Sequence, residues 1–209
     1  HALFRTDGNV LVGAPTGSGK TCLAELAIFR LLRRRGDEKL KAVYVAPLKA
    51  LARERVRDWT PKFRAIGLSV EELTGDSAPD QRALKKADVL ITTPEKWDGV
   101  TRQFQRRDYA RHAALMILDE VHLLGEDRGP VLEALVSRAR YTSTTRVVAL
   151  STALANAHDL GAWLGCSREH VFNFRASVRP VAMEAHIQGF TGKHYCPRMA
   201  TMNKPCYAA

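Results

Sequence analysis

A glycine-rich segment near the start of the chain, Ala14–Thr21, has the sequence APTGSGKT and lies between an apolar run and a helix-forming stretch. Backbone N–H groups can turn inward around phosphate oxygens where no side chain blocks them, and Gly17 and Gly19 supply that property. A helix that begins at Lys20 would point its positive end at the same anion. The segment therefore predicts a strand, a phosphate-binding loop and a helix, in that order.

Short apolar runs alternate with helical patterns along the rest of the chain. Because these runs are apolar throughout, they are typical of strands in a parallel sheet that helices cover on both faces, an α/β fold. We predict strands at 9–13, 41–46, 69–73, 88–92, 115–118, 146–150 and, as a last extended run, 170–174. We predict helices at 20–35, 48–59, 129–140 and 157–164, the first ending at Gly36 and the second near Pro61.

Five short motifs follow the ends of these predicted strands. They occupy 14–21, 47–51, 93–97, 119–122 and 151–153. In an open parallel sheet, ligands bind in the crevice outside the carboxyl ends of the strands. We therefore expect all five motifs to meet at one edge of the sheet.

The apolar run LMIL leads directly into Asp119 and Glu120. A pair of acids at a strand end, combined with a phosphate-binding loop, predicts magnesium-dependent hydrolysis of a nucleoside triphosphate. Lys20 would reach the β- and γ-phosphates, Thr21 and Asp119 would hold Mg²⁺, and Glu120 would polarise the attacking water. The predicted nucleotide-binding residues are Ala14, Pro15, Thr16, Gly17, Ser18, Gly19, Lys20 and Thr21.

The composition indicates a globular protein and favours a negatively charged partner. Hydrophobic residues make up 45% of the chain, enough for a sizeable core, and no run approaches the roughly 20 apolar residues of a membrane span. The formal net charge of +10 favours a polyanionic partner, although excess Lys and Arg also keep a domain soluble. We expect no membrane partner, because no run is long enough to span one, and four cysteines without a CxxC pair favour a reduced, intracellular setting.

The motifs, in this order, resemble the first RecA-like domain of a superfamily-two helicase. The matching strings are the phosphate loop, PLKAL at 47–51, TTPEKWD at 92–98 and DEVH at 119–122. The segments DEVHLLGEDRGPVLEALVSR, LSTALANAHDLGAWLG and FNFRASVRPVAMEAHIQGF narrow the resemblance to the Ski2-like DExH branch, and within it to helicases with two tandem cassettes. The tail GKHYCPRMATMNKPCYAA is most similar to the C-terminal cassette of such a helicase.

This resemblance implies a RecA-like P-loop NTPase fold and the N-terminal motor domain of a helicase that uses ATP and Mg²⁺. Such a motor unwinds DNA or RNA in the 3′-to-5′ direction. His122 would link the nucleotide state to the rest of the cleft, while Ser151 and Thr152 would couple hydrolysis to strand movement. The implied contacts to the phosphate backbone of a single-stranded or partly duplex nucleic acid are Pro47, Lys49, Thr93 and Pro94.

The chain is expected to contain one whole unit and part of another. Residues 1–174 would form the RecA-like ATP-binding domain, and 175–209, which are richer in Pro, Gly, Met and His, would be a connector and the start of a truncated second RecA-like domain. We interpret the chain as an incomplete piece with very low ATPase activity of its own. Its parent would supply the second domain, join subunits of a multiprotein complex, and be nuclear, cytoplasmic or both.

Two other functions are compatible with a phosphate loop. A nucleotide- or partner-binding fragment without turnover is the first, and the presence of Lys20, Asp119 and Glu120 argues against it for the parent protein. A transporter ATPase or small-molecule kinase is the second, and DEVH with Ser151–Ala153 argues against it. Two positions depart from common patterns, since Ala14 replaces a glycine and Ser-Thr-Ala replaces Ser-Ala-Thr; both forms resemble those of helicases.

Overall fold

Parallel strands form the centre of the computed structural model, which describes residues 1–34, 39–77, 79–103, 107–142 and 145–208. The strands in these ranges are β1 (Val10–Gly13), β2 (Lys41–Val45), β3 (Val70–Leu73), β4 (Val89–Thr92), β5 (Ala113–Leu118), β6 (Arg146–Ser151) and β7 (Val171–Asn173). Their order in one sheet is β3-β4-β2-β5-β6-β1-β7, and every neighbouring pair runs parallel. The predicted parallel sheet is therefore confirmed.

Helices cover both faces of the sheet. The α-helices of the described residues are α1 (Ala2–Arg5), α2 (Lys20–Arg34), α3 (Lys49–Arg64), α4 (Gln81–Lys86), α5 (Pro94–Thr101), α6 (Asp108–Arg111), α7 (Gly129–Thr142), α8 (Ala157–Trp163) and α9 (Tyr195–Ala208). Buried residues form two hydrophobic clusters, one that joins α2 and α3 to the sheet and one that joins α5, α7 and α8 to it. Within the described ranges, no helix combines the length and the apolar character needed to cross a membrane.

Adjacent residues of β1 show why the inner strands are almost entirely apolar, unlike the edge strand β3, which has the sequence VEEL and is only partly buried. Val10 and Val12 belong to the cluster with α2 and α3, whereas Leu11 belongs to the cluster with α7. Alternate side chains of a strand point to opposite faces, and all three are at most 2% exposed. A strand covered on both faces has no polar side, so its hydrophobicity is continuous rather than alternating.

The structure corrects the expected end of α3 and adds other helices. Helix α3 does not end near Pro61 but continues past it. Trp59 and Phe63, on either side of the proline, are 0% and 1% exposed, and their burial holds the last turn although Pro61 has no N–H to donate. The structure describes α2 as far as Arg34. Its expected end at Arg35 and Gly36 lies outside the described residues. The sequence pattern does not predict α1, α4, α6 or α9.

The chain after β7 lies outside both hydrophobic clusters. A 3₁₀ turn at Ala176–Val178 follows the sheet, and the next helix is α9. No described side chain of α9 is buried, and Val181, Met183 and Ile187 are 72%, 72% and 99% exposed. The domain boundary expected after residue 174 stays a prediction.

Replacing Gly161 with Ala should destabilise the protein by about 1–3 kcal/mol. Gly161 is buried in α8, and an added Cβ would lie 2.4 Å from Cγ2 of Val171 in β7, a side chain with little rotamer freedom. The matched control is Gly99→Ala in α5, where an added Cβ meets nothing within 4 Å. That control should gain about 0.5–1 kcal/mol. Urea unfolding compares the two variants, and equal stabilities would contradict the packing of α8 on β7.

Candidate functional site

Backbone hydrogen bonds between strand ends bring the predicted motifs to one edge of the sheet. The N–H of Ala14 donates to the carbonyl oxygen of Ser151 at 2.9 Å, and the N–H of Asp119 donates to that of Val45 at 3.1 Å. The first bond joins the phosphate loop to Ser151, the last residue of β6. The second joins the acidic motif to the end of β2, so the motifs share one edge, as expected.

The loop Ala14–Thr21 encloses an open cradle. Gly17 and Gly19 have φ values of +83° and +88°, in the left-handed region that glycine adopts without strain. An added Cβ at either position would meet nothing within 4 Å, so the space beside the loop backbone is free. Helix α2 begins where the loop ends, and the first N–H groups of a helix have no partner within it. Open space, unpaired N–H groups and a lysine fit a polyphosphate.

The ammonium group of Lys20 folds back onto this loop. Its Nζ donates to the carbonyl oxygens of Ala14 at 2.8 Å and Pro15 at 3.3 Å. Ser18 tightens the same turn, since its hydroxyl donates to the Pro15 carbonyl at 2.6 Å. Hydrogen bonds from an ammonium group to an anion are stronger than those to a neutral carbonyl, so a phosphate would draw the lysine away from the loop.

Both carboxylate oxygens of Asp119 accept hydrogen bonds. Oδ1 accepts from the N–H of Glu120 at 3.1 Å, and Oδ2 accepts from the hydroxyl of Tyr44. Among the described residues, no group of three or more His, Cys, Asp or Glu side chains could hold a metal ion. Mg²⁺ in nucleotide sites takes few protein ligands, because phosphates and water complete its coordination. Asp119 and the hydroxyl of Thr21 therefore suit a nucleotide-bound magnesium ion.

Glu120 combines backbone strain with an unpaired oxygen. It has φ +52° and ψ +47° and is, within the described ranges, the one residue other than glycine with a positive φ. Its Oε2 is buried and has no hydrogen-bond partner. The Nδ1 of His122 lies 3.4 Å from this oxygen, close enough for an electrostatic interaction but without the geometry of a hydrogen bond. Strain and an unpaired buried oxygen are concentrated at functional sites.

His122 lies between Glu120 and the end of β6. It belongs to a 3₁₀ turn at Val121–Gly125 that directly follows Glu120. The same Nδ1 is 3.4 Å from the hydroxyl oxygen of Ser151. The predicted catalytic and coupling residues are thus in contact through one imidazole ring.

Asn173, at the end of β7, fixes the loop after β6. Its Oδ1 accepts from the N–H of Leu154 at 3.0 Å, and its Nδ2 donates to the carbonyl oxygen of the same residue at 2.7 Å. A Cβ on Gly13 would lie 2.5 Å from Oδ1 of Asn173 and 3.1 Å from the carbonyl oxygen of Thr152. Only glycine fits where these segments meet. Sequence reasoning missed Asn173, although a polar residue in the run VFNF was a usable signal.

Tyr44 is buried beside the acidic motif and was also missed. Burial, and then the neighbouring Asp119 carboxylate, raise the pKa of Tyr44 far above its ordinary value, so its hydroxyl stays protonated. The ring packs edge-on against Trp59 with centroids 5.0 Å apart, and the guanidinium of Arg55 lies 5.9 Å from it. The sequence does contain a usable signal for Tyr44. A tyrosine in the apolar run KAVYVA predicts a buried hydroxyl, and buried tyrosine hydroxyls usually have a hydrogen-bond partner.

A groove of 770 Å³ lies along the same edge of the sheet. Its lining residues are Leu48, Lys49, Ala50, Gly75, Thr93, Glu95, Lys96 and Arg128. Asp76 beside it pairs with Nζ of Lys49 at 2.7 Å and with Nη2 of Arg53 at 2.8 Å. The hydrogen bond and charge of Lys49, followed by those of Arg53, lower the pKa of Asp76. Lys49, the one cation among the four predicted strand contacts, is therefore partly neutralised by an acid of the same chain.

Arg128 joins two segments that border this groove. Its guanidinium donates to the carbonyl oxygen of Pro47, and its Nε lies 3.3 Å from Oε1 of Glu95. Of the four predicted nucleic-acid contacts, only Lys49 has an exposed side chain, and the other three are buried. Arg128 was not predicted as a site residue. Its neighbours in the sequence give no indication that its side chain reaches Pro47, 81 positions away.

Residues 1–160 match the family described as DEAD/DEAH box helicase. Relatives that align with the whole chain include activating signal cointegrator 1 complex subunit 3 of Danio rerio at 60% identity and of Homo sapiens at 57%. Another is the DExH-box ATP-dependent RNA helicase DExH14 of Arabidopsis thaliana, at 57%. The chain spans 14%, 10% and 10% of the lengths of these three relatives.

A solved structure with a similar fold is that of the DUF1998 helicase MrfA bound to DNA. The TM-score is 0.63 at 23% identity, with 75% of this chain and 24% of that chain covered. At this identity the likeness concerns the fold alone. Together these findings confirm the RecA-like α/β fold and the resemblance to DExH helicases.

Replacing Glu120 with Gly should leave the protein about 1 kcal/mol more stable than replacing it with Ala, since the left-handed conformation is strained for an L-residue and free for glycine. Both variants lack the carboxylate, so its contacts cancel in the comparison. Thermal and urea unfolding of the pair measure the difference. An Ala variant as stable as the Gly variant would contradict the φ of +52° at this position.

Proposed function

The chain belongs to the DEAD/DEAH box helicase family, and on that premise we propose that it is the ATP-binding motor domain of a nucleic-acid helicase. The observation that carries the proposal is the convergence of three motifs at one edge of the sheet. The phosphate loop, the acidic pair Asp119 and Glu120, and Ser151 are joined there by backbone bonds and by His122. A module that only binds a nucleotide would not need Ser151 in contact with the acidic motif.

Each residue of the nucleotide site has a role in this proposal. The loop N–H groups and Lys20 bind the phosphates, and the hydroxyl of Thr21 with the carboxylate of Asp119 would hold Mg²⁺. Magnesium, when bound, neutralises phosphate charge that develops during hydrolysis. Glu120 accepts a proton from the attacking water, and its unpaired Oε2 is an available acceptor.

The coupling step would begin at His122. A change at Glu120 on hydrolysis alters the environment of the imidazole, which also touches the hydroxyl of Ser151. The loop that follows Ser151 is anchored by Asn173 at Leu154. We propose that this loop, with Thr152, passes the nucleotide state on to a second RecA-like domain in the parent chain.

The groove beside Lys49 is the proposed track for one strand of a single-stranded or partly duplex DNA or RNA. Lys49, Lys96 and Arg128 line it, and cations of this kind bind phosphates without reading bases. The name of the Arabidopsis relative specifies RNA, and those of the vertebrate relatives specify a complex subunit. Further subunits are accordingly proposed as partners. Four free cysteines support an intracellular, nuclear or cytoplasmic location.

Lys20→Ala should weaken binding of a fluorescent ATP analogue about tenfold or more, because it removes a charge-assisted contact worth about 1.5–3 kcal/mol. Lys62→Ala is the control, since Lys62 is an exposed lysine that pairs with Glu25 at 3.0 Å. The control should bind like the wild type. Equal affinities of the Lys20 variant and the wild type would refute the nucleotide site.

Asp76→Asn should tighten binding of a labelled single-stranded oligonucleotide, because it releases Lys49 and Arg53 from their pairing with Asp76. Each additional phosphate contact steepens the dependence of log K on log salt by about 0.7. The control is Asp58→Asn. It also removes one negative charge, but Asp58 pairs with Arg55 and Arg57, further along α3.

The two variants are compared over a salt series with two unrelated oligonucleotide sequences. We expect a steeper slope for the Asp76 variant alone and no preference between the sequences. Identical slopes for both variants would place the strand elsewhere than in this groove.

A further inference from the structure

Tyr44 lies on the same face of the sheet as Asp119. Tyr44 of β2 pairs in register with Ile117 of β5, and alternate residues of a strand share a face, so Asp119 extends on the side of Tyr44. The tyrosine is 2% exposed, and its hydroxyl donates to Oδ2 of Asp119. The N–H of Asp119 continues the β2–β5 pairing by donating to the carbonyl oxygen of Val45 at 3.1 Å.

The orientation of the Asp119 carboxylate depends on this hydroxyl. Its other oxygen, Oδ1, is bonded to the N–H of Glu120 at 3.1 Å. Glu120 itself has the strained left-handed backbone. Without the hydroxyl of Tyr44, the carboxylate would keep one hydrogen bond, from the N–H of Glu120. One such bond does not fix its rotation.

The ring of Tyr44 is held rigidly enough to serve as a support. It packs edge-on against Trp59, and the guanidinium of Arg55 lies 5.9 Å from the Tyr44 ring and 5.5 Å from the Trp59 ring. Trp59 is fully buried, and its Nε1 donates to Oε1 of Glu25 at 2.8 Å. Trp59 of α3, held in turn by Glu25 of α2, thus fixes the ring of the tyrosine.

We propose that Tyr44 is a positioning residue that orients the Asp119 carboxylate for a magnesium-bound nucleotide. The inference rests on the proposed function, since it concerns the same site. Groups that hydrogen-bond to a metal ligand fix its direction, and removing one typically lowers metal affinity about 10–100-fold. Tyr44 acts through Asp119, and none of its hydrogen bonds reaches the phosphate loop.

Tyr44→Phe tests this, because it removes one hydroxyl and keeps the ring. In the 209-residue chain, binding of a fluorescent ATP analogue is followed while Mg²⁺ is titrated. We expect the half-saturating Mg²⁺ concentration to rise about tenfold or more. Affinity for the analogue in excess EDTA should stay at the wild-type value. Tyr109→Phe is the control, since Tyr109 is another buried tyrosine, whose hydroxyl accepts from Arg107 at 3.0 Å. It should leave both values unchanged.

A double-mutant cycle with Asp119→Asn identifies the route of the effect. If Tyr44 acts through the carboxylate, adding Tyr44→Phe to Asp119→Asn should cause no further change in the Mg²⁺ dependence. An additional tenfold loss in that background would overturn the proposal. An equal loss of affinity with Mg²⁺ and in EDTA, accompanied by a lower unfolding temperature, would also overturn it, because it would show a structural role only.

The wild type separates this inference from the proposed function. Nucleotide binding by the wild type that does not respond to Mg²⁺ would refute the proposed function, and the role of Tyr44 with it. A wild type that responds to Mg²⁺ and a Tyr44→Phe variant with the same half-saturating concentration would overturn the role of Tyr44 alone.

Discussion

Pairing between the carboxyl ends of parallel strands determines where every part of the site lies. The bonds from Ala14 to Ser151 and from Asp119 to Val45 extend the sheet beyond its last regular residues. A shift of one residue in the β2–β5 register would move the Asp119 side chain to the opposite face of the sheet. Both faces are filled by helices and apolar side chains, and a carboxylate buried there without a partner would be costly. The core therefore enforces the register that the site requires.

The nucleotide half and the groove half of this edge are physically joined. Tyr44 links Asp119 to α3, the helix that begins with Lys49 beside the groove. Arg128, which follows the acidic motif in the chain, contacts the carbonyl oxygen of Pro47 just before the same helix. The first contact joins the acidic motif to α3, and the second joins the segment after that motif to the residues just before the helix. Under the proposed function, these packed groups would pass a change at the nucleotide on to the groove.

Backbone strain in the described residues lies at Glu120, on the edge of the sheet where the motifs meet. Glu120 has a left-handed backbone and an unpaired oxygen, and the glycines at 17 and 19 hold positive φ values beside empty space. The backbone of Glu120 and its unpaired oxygen are unfavourable, and the surrounding core must offset their cost, whereas the two glycines adopt a positive φ without strain. An unpaired oxygen held in a strained conformation is available to hydrogen-bond a ligand, since no described group of the protein does so.

Local patterns in the sequence were sufficient to predict all seven strands of the described residues and to propose the phosphate loop and the acidic pair, because those signals lie within a few neighbouring residues. Contacts between distant residues were not predictable in this way. Tyr44 and Asp119 are 75 positions apart, Lys49 and Asp76 are 27, and Arg128 and Pro47 are 81. Helix α3 passes Pro61 because burial of its flanking aromatic rings outweighs the local preference of proline. Residue types set the chemistry available at each strand end, and the packing of the sheet then selected which of those groups meet.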